Sequence, residues 1–143
     1  MRRKDWDDRL AAYIGQHRDA VFEYGRLDCV LFAAGAIEAL TGEDHAAHIR
    51  GDYETRLGSL RVLHREGHAD LAEMMDVRFG TVPLALAQRG DIVMAGGSLG
   101  VCMGRLALFV GEDADRPGLV GLPIAAWEQA WRIPFPGETR RRD

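Results

Sequence analysis

The chain has 143 residues and a mass of 15.8 kDa, and 47% of its residues are apolar, enough to build a core and to exclude wholesale disorder. Eighteen Lys and Arg against 22 Asp and Glu give a net charge of −4 and a pI near 5.7, which excludes a global attraction for nucleic acid or an anionic membrane. Two cysteines, Cys29 and Cys102, do not make a disulfide framework, and no apolar run approaches the ~20 residues of a membrane span.

Arg2-Arg3-Lys4 and Arg140-Arg141-Arg142 read as short basic tips, expected to be solvated tails. Asp5-Trp6-Asp7-Asp8 stands where the apolar core of a secretion signal would lie. The expectation is therefore a protein made and folded in the cytoplasm, with both thiols reduced and no membrane anchor. No internal repeat or low-complexity linker is visible. A single domain over residues 1–143 is expected, with a helical half at about 6–80 and a β half at about 90–133.

In chain order, the spacing of Trp6, Leu10, Tyr13 and Ile14 predicts a helix from about Trp6 to His17. Phe22 to Gly25 reads as an extended stretch into a turn. A second helix is expected with Asp28 as N-cap, an almost wholly apolar body from Val30 to Leu40, and a stop at Gly42. That composition predicts a buried central helix. After a polar connection, Glu43 to Asp52, a third helix is predicted with Tyr53, Leu57, Leu60 and Leu63 on one side, broken by Gly67. A short helix from about Asp70 to Arg78 follows.

Around Pro83 to Gly90 the apolar period changes from helical to alternating. Strands are predicted at Asp91 to Ala95, Leu99 to Met103, Arg105 to Val110 and Leu119 to Pro123. Gly96-Gly97, Gly104, Gly111 and Asp115 to Gly118 supply the turns. The short spacings imply antiparallel hairpins, and helices followed by a meander make an α+β pattern. Trp127 and Trp131, one helical turn apart in spacing, read as packing anchors, with an interface role as the alternative.

Cys29 is the residue with the most chemistry. A cysteine works as a nucleophile through its thiolate, and a helix N-terminus favours that form through its dipole and free N–H groups. The same N–H groups can hold an oxyanion. The plain alternative is a small buried hydrophobe.

Tyr24-Gly25-Arg26-Leu27-Asp28-Cys29-Val30-Leu31-Phe32 resembles the nucleophile segment of NlpC-type cell-wall peptidases. Gln88-Arg89-Gly90-Asp91-Ile92-Val93 resembles the Gly-Asp-Leu-Val segment of that family, and Leu99 to Gly104 resembles its next strand. The order and spacing of the three pieces carry the resemblance over about residues 20–112. Small proteins of tailed phages and prophages are similar over the whole length. Their shared pieces correspond to Trp6, Gly25 to Cys29, Thr41 to Asp44, Gly90 to Val93, Leu99 to Val101 and Ala130-Trp131-Arg132. The resemblance implies an α+β, papain-like fold, with N-terminal helices packed on a C-terminal antiparallel sheet. It implies as site residues Cys29 as nucleophile or relic, Asp28 as its N-cap and Tyr24 in the cleft.

One position departs from the family. Matching on Gly100 and Gly104 places Ser98 where the peptidases carry their histidine base. The β half contains no histidine at all, since the last one is His68. Serine has no accessible pKa near neutrality and cannot replace it. Of the five histidines, His17 precedes the cysteine and would reach it only in a rearranged topology. His64 and His68, with His45 and His48, could be drawn as a metal cluster. Gly67 interrupts the helix between the first two, however, and the order is not that of a zinc protease. No metal and no cofactor is expected.

Three functions follow as expectations. The first is a non-catalytic structural component of a phage tail tip or tail-assembly machinery, carried in the virion, whose partners are other tail proteins and further copies of itself. The second is a cysteine hydrolase of cell-wall peptides or other amides, using Cys29 and a non-standard base. The third is a module binding a small molecule or peptide in the relic cleft.

Overall fold

The computed structural model describes residues 1–111 and 117–137. The basic run at 140–142 and the first half of the turn predicted at Asp115 to Gly118 lie outside the described residues.

Four helices come first, α1 (Trp6–Gln16), α2 (Cys29–Thr41), α3 (Arg56–Arg65) and α4 (Leu71–Arg78). Six strands follow, β1 (Thr81–Val82), β2 (Ile92–Ala95), β3 (Ser98–Cys102), β4 (Leu106–Val110), β5 (Leu119–Pro123) and β6 (Gln129–Trp131). They form one antiparallel sheet in the order β1-β6-β2-β3-β4-β5. The architecture is therefore α+β, with N-terminal helices and a C-terminal six-stranded antiparallel sheet.

The helix that matters most forms for readable reasons. Leu, Phe, Ala and Ile fill the body of α2, and seven of its residues, from Leu31 to Leu40, are buried. Asp28 caps its start by accepting from the Leu31 N–H, and Gly42 ends it in the left-handed conformation at φ 85°. Leu10 and Ile14 of α1 and Phe32, Ala36, Ile37 and Leu40 of α2 pack on the sheet face built by Ile92, Leu99, Val101, Val110 and Trp131. The opposite face of the sheet, with Val93, Cys102, Ala107 and Phe109, is covered by Trp127 and by Leu84 of a 3₁₀ turn. The β2–β3 hairpin closes over Gly96-Gly97, both at positive φ, as a tight primed turn requires.

The structure corrects the sequence reading at three places. Leu57 and Leu60 do not face the core with Leu63. They are 58% and 41% exposed, and Tyr53 is buried ahead of the helix rather than on it. Trp127 and Trp131 share no helical turn. Trp131 lies in β6, where it pairs with Thr81 and Ile92, and Trp127 follows a 3₁₀ turn; the sheet ladder overrides the spacing of four.

The third correction concerns the N-terminal tip. Arg2 is not solvated but 2% exposed. Its Nη2 donates to Asp91 Oδ1 at 2.9 Å, its Nε to the Ile133 carbonyl and its Nη1 to the Arg89 carbonyl. Its guanidinium lies 3.8 Å from the centre of the Phe135 ring and 4.5 Å from that of Trp6. No helix among the described residues is long and apolar enough to cross a membrane.

Candidate functional site

A groove of about 670 Å³ runs between α2, α3, α4 and the β2–β3 hairpin. Val30, Ala33, Ala34 and Ile37, one stripe of α2, form part of its wall, and the lining is mostly apolar with a few polar groups. Tyr24, Asp28 and Cys29 line it, as does Ser98, which is far from them in the sequence. The β2–β3 hairpin end brings Ser98 to the edge of the groove, although its register with Ala95 and its phase with Cys102 put it on the face of the sheet away from α2, while Leu99 and Val101 face the helix.

Asp28 is 3% exposed, and its two oxygens accept three hydrogen bonds. Oδ1 takes the Leu31 N–H at 3.0 Å, while Oδ2 takes the Gly25 N–H at 3.1 Å and the Tyr53 hydroxyl at 2.5 Å. Burial and the Asp28 carboxylate push the Tyr53 hydroxyl well above the usual tyrosine range, and the Cys29 sulfur adds to that push. The phenol is therefore held as a donor to Asp28 and cannot take a proton from Cys29. Asp28 in turn is fully engaged in shaping the turn and the helix start.

Cys29, half-buried, is the first residue of α2. A thiolate there would share the helix end with the Asp28 carboxylate, and like charges at one site oppose each other. The dipole that favours a thiolate at a helix N-terminus is already answered by a carboxylate. Cys102 lies fully buried on the other face of the sheet, its thiol donating to the Gly104 carbonyl at 3.6 Å, and burial raises its pKa.

The histidines divide between the groove and the outside of the helices. His17 binds the Tyr13 carbonyl through Nδ1 at 2.7 Å and stacks on the Tyr13 ring, and it is not part of the groove lining. His45, His48 and His68 do line the groove. The His45 ring packs on Phe79 at 5.3 Å, and His48 Nε2 is 2.8 Å from Glu66 Oε1. Distance along the sequence hid this, because residues 43–53 run back beside α2. Gly51 donates to the Gly25 carbonyl, and Tyr53 reaches Asp28. Among the described residues no group of three or more His, Cys, Asp or Glu is placed to hold a metal.

Fold and site together define an α+β protein with a cysteine at the start of a buried helix, facing a groove against an antiparallel sheet. The chain belongs to the family described as "Domain of unknown function (DUF6950)", which it matches over residues 1–133. No curated protein matches it.

Proposed function

We propose that the chain is a structural component of a phage or prophage tail tip or tail-assembly machinery, built on a papain-like, NlpC-type fold that no longer catalyses. The observation that carries this reading is that the sheet brings Ser98, and no histidine, to the edge of the groove that Cys29 lines. By the resemblance, Ser98 matches the position from which a peptidase of that type would present its base, and its strand register turns it toward the face away from α2. A serine there neither activates the thiol nor protonates a leaving amine. The commitment of Asp28 and Tyr53 to each other removes two further titratable groups of the groove from that task.

A cysteine hydrolase is the second reading, and it has one specific support. His45, His48 and His68 line the same groove as Cys29. The resemblance to cell-wall peptidases would make its substrate a peptide amide.

One experiment separates the two. The gene is deleted from a prophage that carries it, and the wild-type chain or Cys29→Ala is supplied in trans. The structural reading expects particles to assemble only when the chain is supplied, to contain it, and to form equally with Cys29→Ala. Particles that form without the chain sink the structural reading. If the chain is required but Cys29→Ala fails to restore infectivity, the hydrolase reading replaces it.

A further inference from the structure

The outer side of α3 breaks the pattern expected of a surface helix in this protein. Leu57, Leu60, Arg61 and His64 recur at helical spacing and are all exposed, so one face presents two leucines beside an arginine and a histidine. Only Val62 and Leu63 of this helix are buried. The helix holds Arg56, Arg61 and Arg65 and no carboxylate, in a chain whose net charge is −4. Arg65 reaches Asp52 at 3.3 Å, but neither Arg56 nor Arg61 is paired with a carboxylate among the described residues.

Arg56 is also the first residue of the helix, where the positive end of the dipole repels a cation. Thr55 caps that end through the Gly58 N–H, and a carboxylate in the first turn would have been the stabilising choice. Two leucines left in water and a cation placed against the dipole are both unfavourable in the isolated chain. Both become favourable if an acidic surface with apolar side chains covers the helix.

We propose that the outer face of α3 is a docking surface for an acidic protein segment anchored by apolar side chains. Leu57 and Leu60 take the anchors, while Arg56 and Arg61 pair with the segment's carboxylates. Leu60 and Arg56 also line the Cys29 groove, so the docked segment lies across its mouth. A bilayer is the less fitting partner. The exposed stripe has no Trp, Tyr or Phe, and the whole molecule is anionic. The surface is independent of whether Cys29 reacts.

The probe is a fluorescein-labelled amphipathic peptide with glutamates on one face and leucines on the other, titrated with the full chain and followed by anisotropy. We expect saturable binding that weakens as salt rises. Binding should fall at least about tenfold in Arg56→Glu/Arg61→Glu and in Leu57→Ser/Leu60→Ser. All four positions are exposed, so circular dichroism should remain that of the wild type and Tm should not fall; Arg56→Glu should if anything raise it, because it places a carboxylate in the first turn. A peptide with lysines in place of the glutamates should bind the charge-reversed chain better than the wild type. The proposal is overturned by absence of binding, by equal binding to wild type and both double variants, or by partition of the chain onto phosphatidylglycerol vesicles without peptide binding.

Discussion

The Asp28 carboxylate joins three pieces of backbone and side chain at one point. It caps α2 through Leu31, fixes the turn through Gly25 and holds the connection after α2 through Tyr53. Replacing Tyr53 by Phe leaves Oδ2 with the Gly25 N–H alone, and a charged acceptor that loses a buried partner costs about 1–3 kcal/mol. The cost should depend on pH in a defined direction. In the folded chain Tyr53 keeps its proton above its ordinary value of 10.0, because burial and Asp28 disfavour the phenolate. The folded state therefore binds more protons than the unfolded state once the pH passes that value, and stability falls as pH rises. Below it the contribution is fully present. Urea melts of wild type and Tyr53→Phe should thus differ by that amount at neutral pH and converge in the alkaline range. A gap that stays constant up to pH 11 would show that the hydroxyl contributes nothing through its proton. The cap at Asp28 was legible in the sequence, since an acid before an apolar run has few other meanings. Its bond to Tyr53 was not, because it joins residues 25 positions apart through a connection without periodicity.

Among the elements, α2 and the hairpins from β2 to β5 were legible because their signals are local. A cap, an unbroken apolar body and a stopping glycine define the helix, and Gly96-Gly97 and Gly104 define the turns on either side of β3. Strands β1 and β6 were not, because two or three residues carry no period of their own. Their pairing is decided by the chain returning beside β2. The α3 reading failed for a related reason: periodicity locates an apolar face but not what lies against it. The connection between α2 and α3 is positioned by contact rather than by regular structure, and Gly25 shows how tightly. A Cβ built there would stand 1.8 Å from the Tyr53 carbonyl oxygen, and φ is +83°. Gly67 has a similar φ of +88° with nothing within 4 Å. Ala at Gly67 should therefore cost only the left-handed backbone, about 1–2 kcal/mol. Ala at Gly25 should cost more, at least about 3 kcal/mol, since backbone must also move. Thermal melts of the two variants test this, and equal losses would mean that the approach of the two chain segments is not tight.

For the molecule as a whole, both ends of the described chain meet the sheet at Asp91. Its carboxylate is fully buried and accepts four hydrogen bonds: from Arg2 and the Ile133 N–H on Oδ1, and from the Gln88 N–H and Arg132 on Oδ2. Every lone-pair direction is used. Arg2 closes the arrangement by binding the carbonyls of Arg89 and Ile133. A buried ion pair contributes little against an apolar replacement of equal shape, but removing one member strands the other in a low dielectric. Asp91→Ala should therefore destabilise by about 3–5 kcal/mol, leaving the Arg2 guanidinium without its counter-charge and two backbone N–H groups unanswered. Arg2→Ala should cost a similar amount. The two losses share one interaction, so the double variant should be clearly less destabilised than their sum. The ion pairs at the surface provide the contrast. Arg9→Ala, which breaks only the exposed pair with Asp5, should shift stability by less than about 1 kcal/mol. Additive losses at Arg2 and Asp91 in denaturant titrations would mean that the two side chains act separately, and that the N-terminal segment is held by its backbone bonds to Pro134 and Leu40 instead.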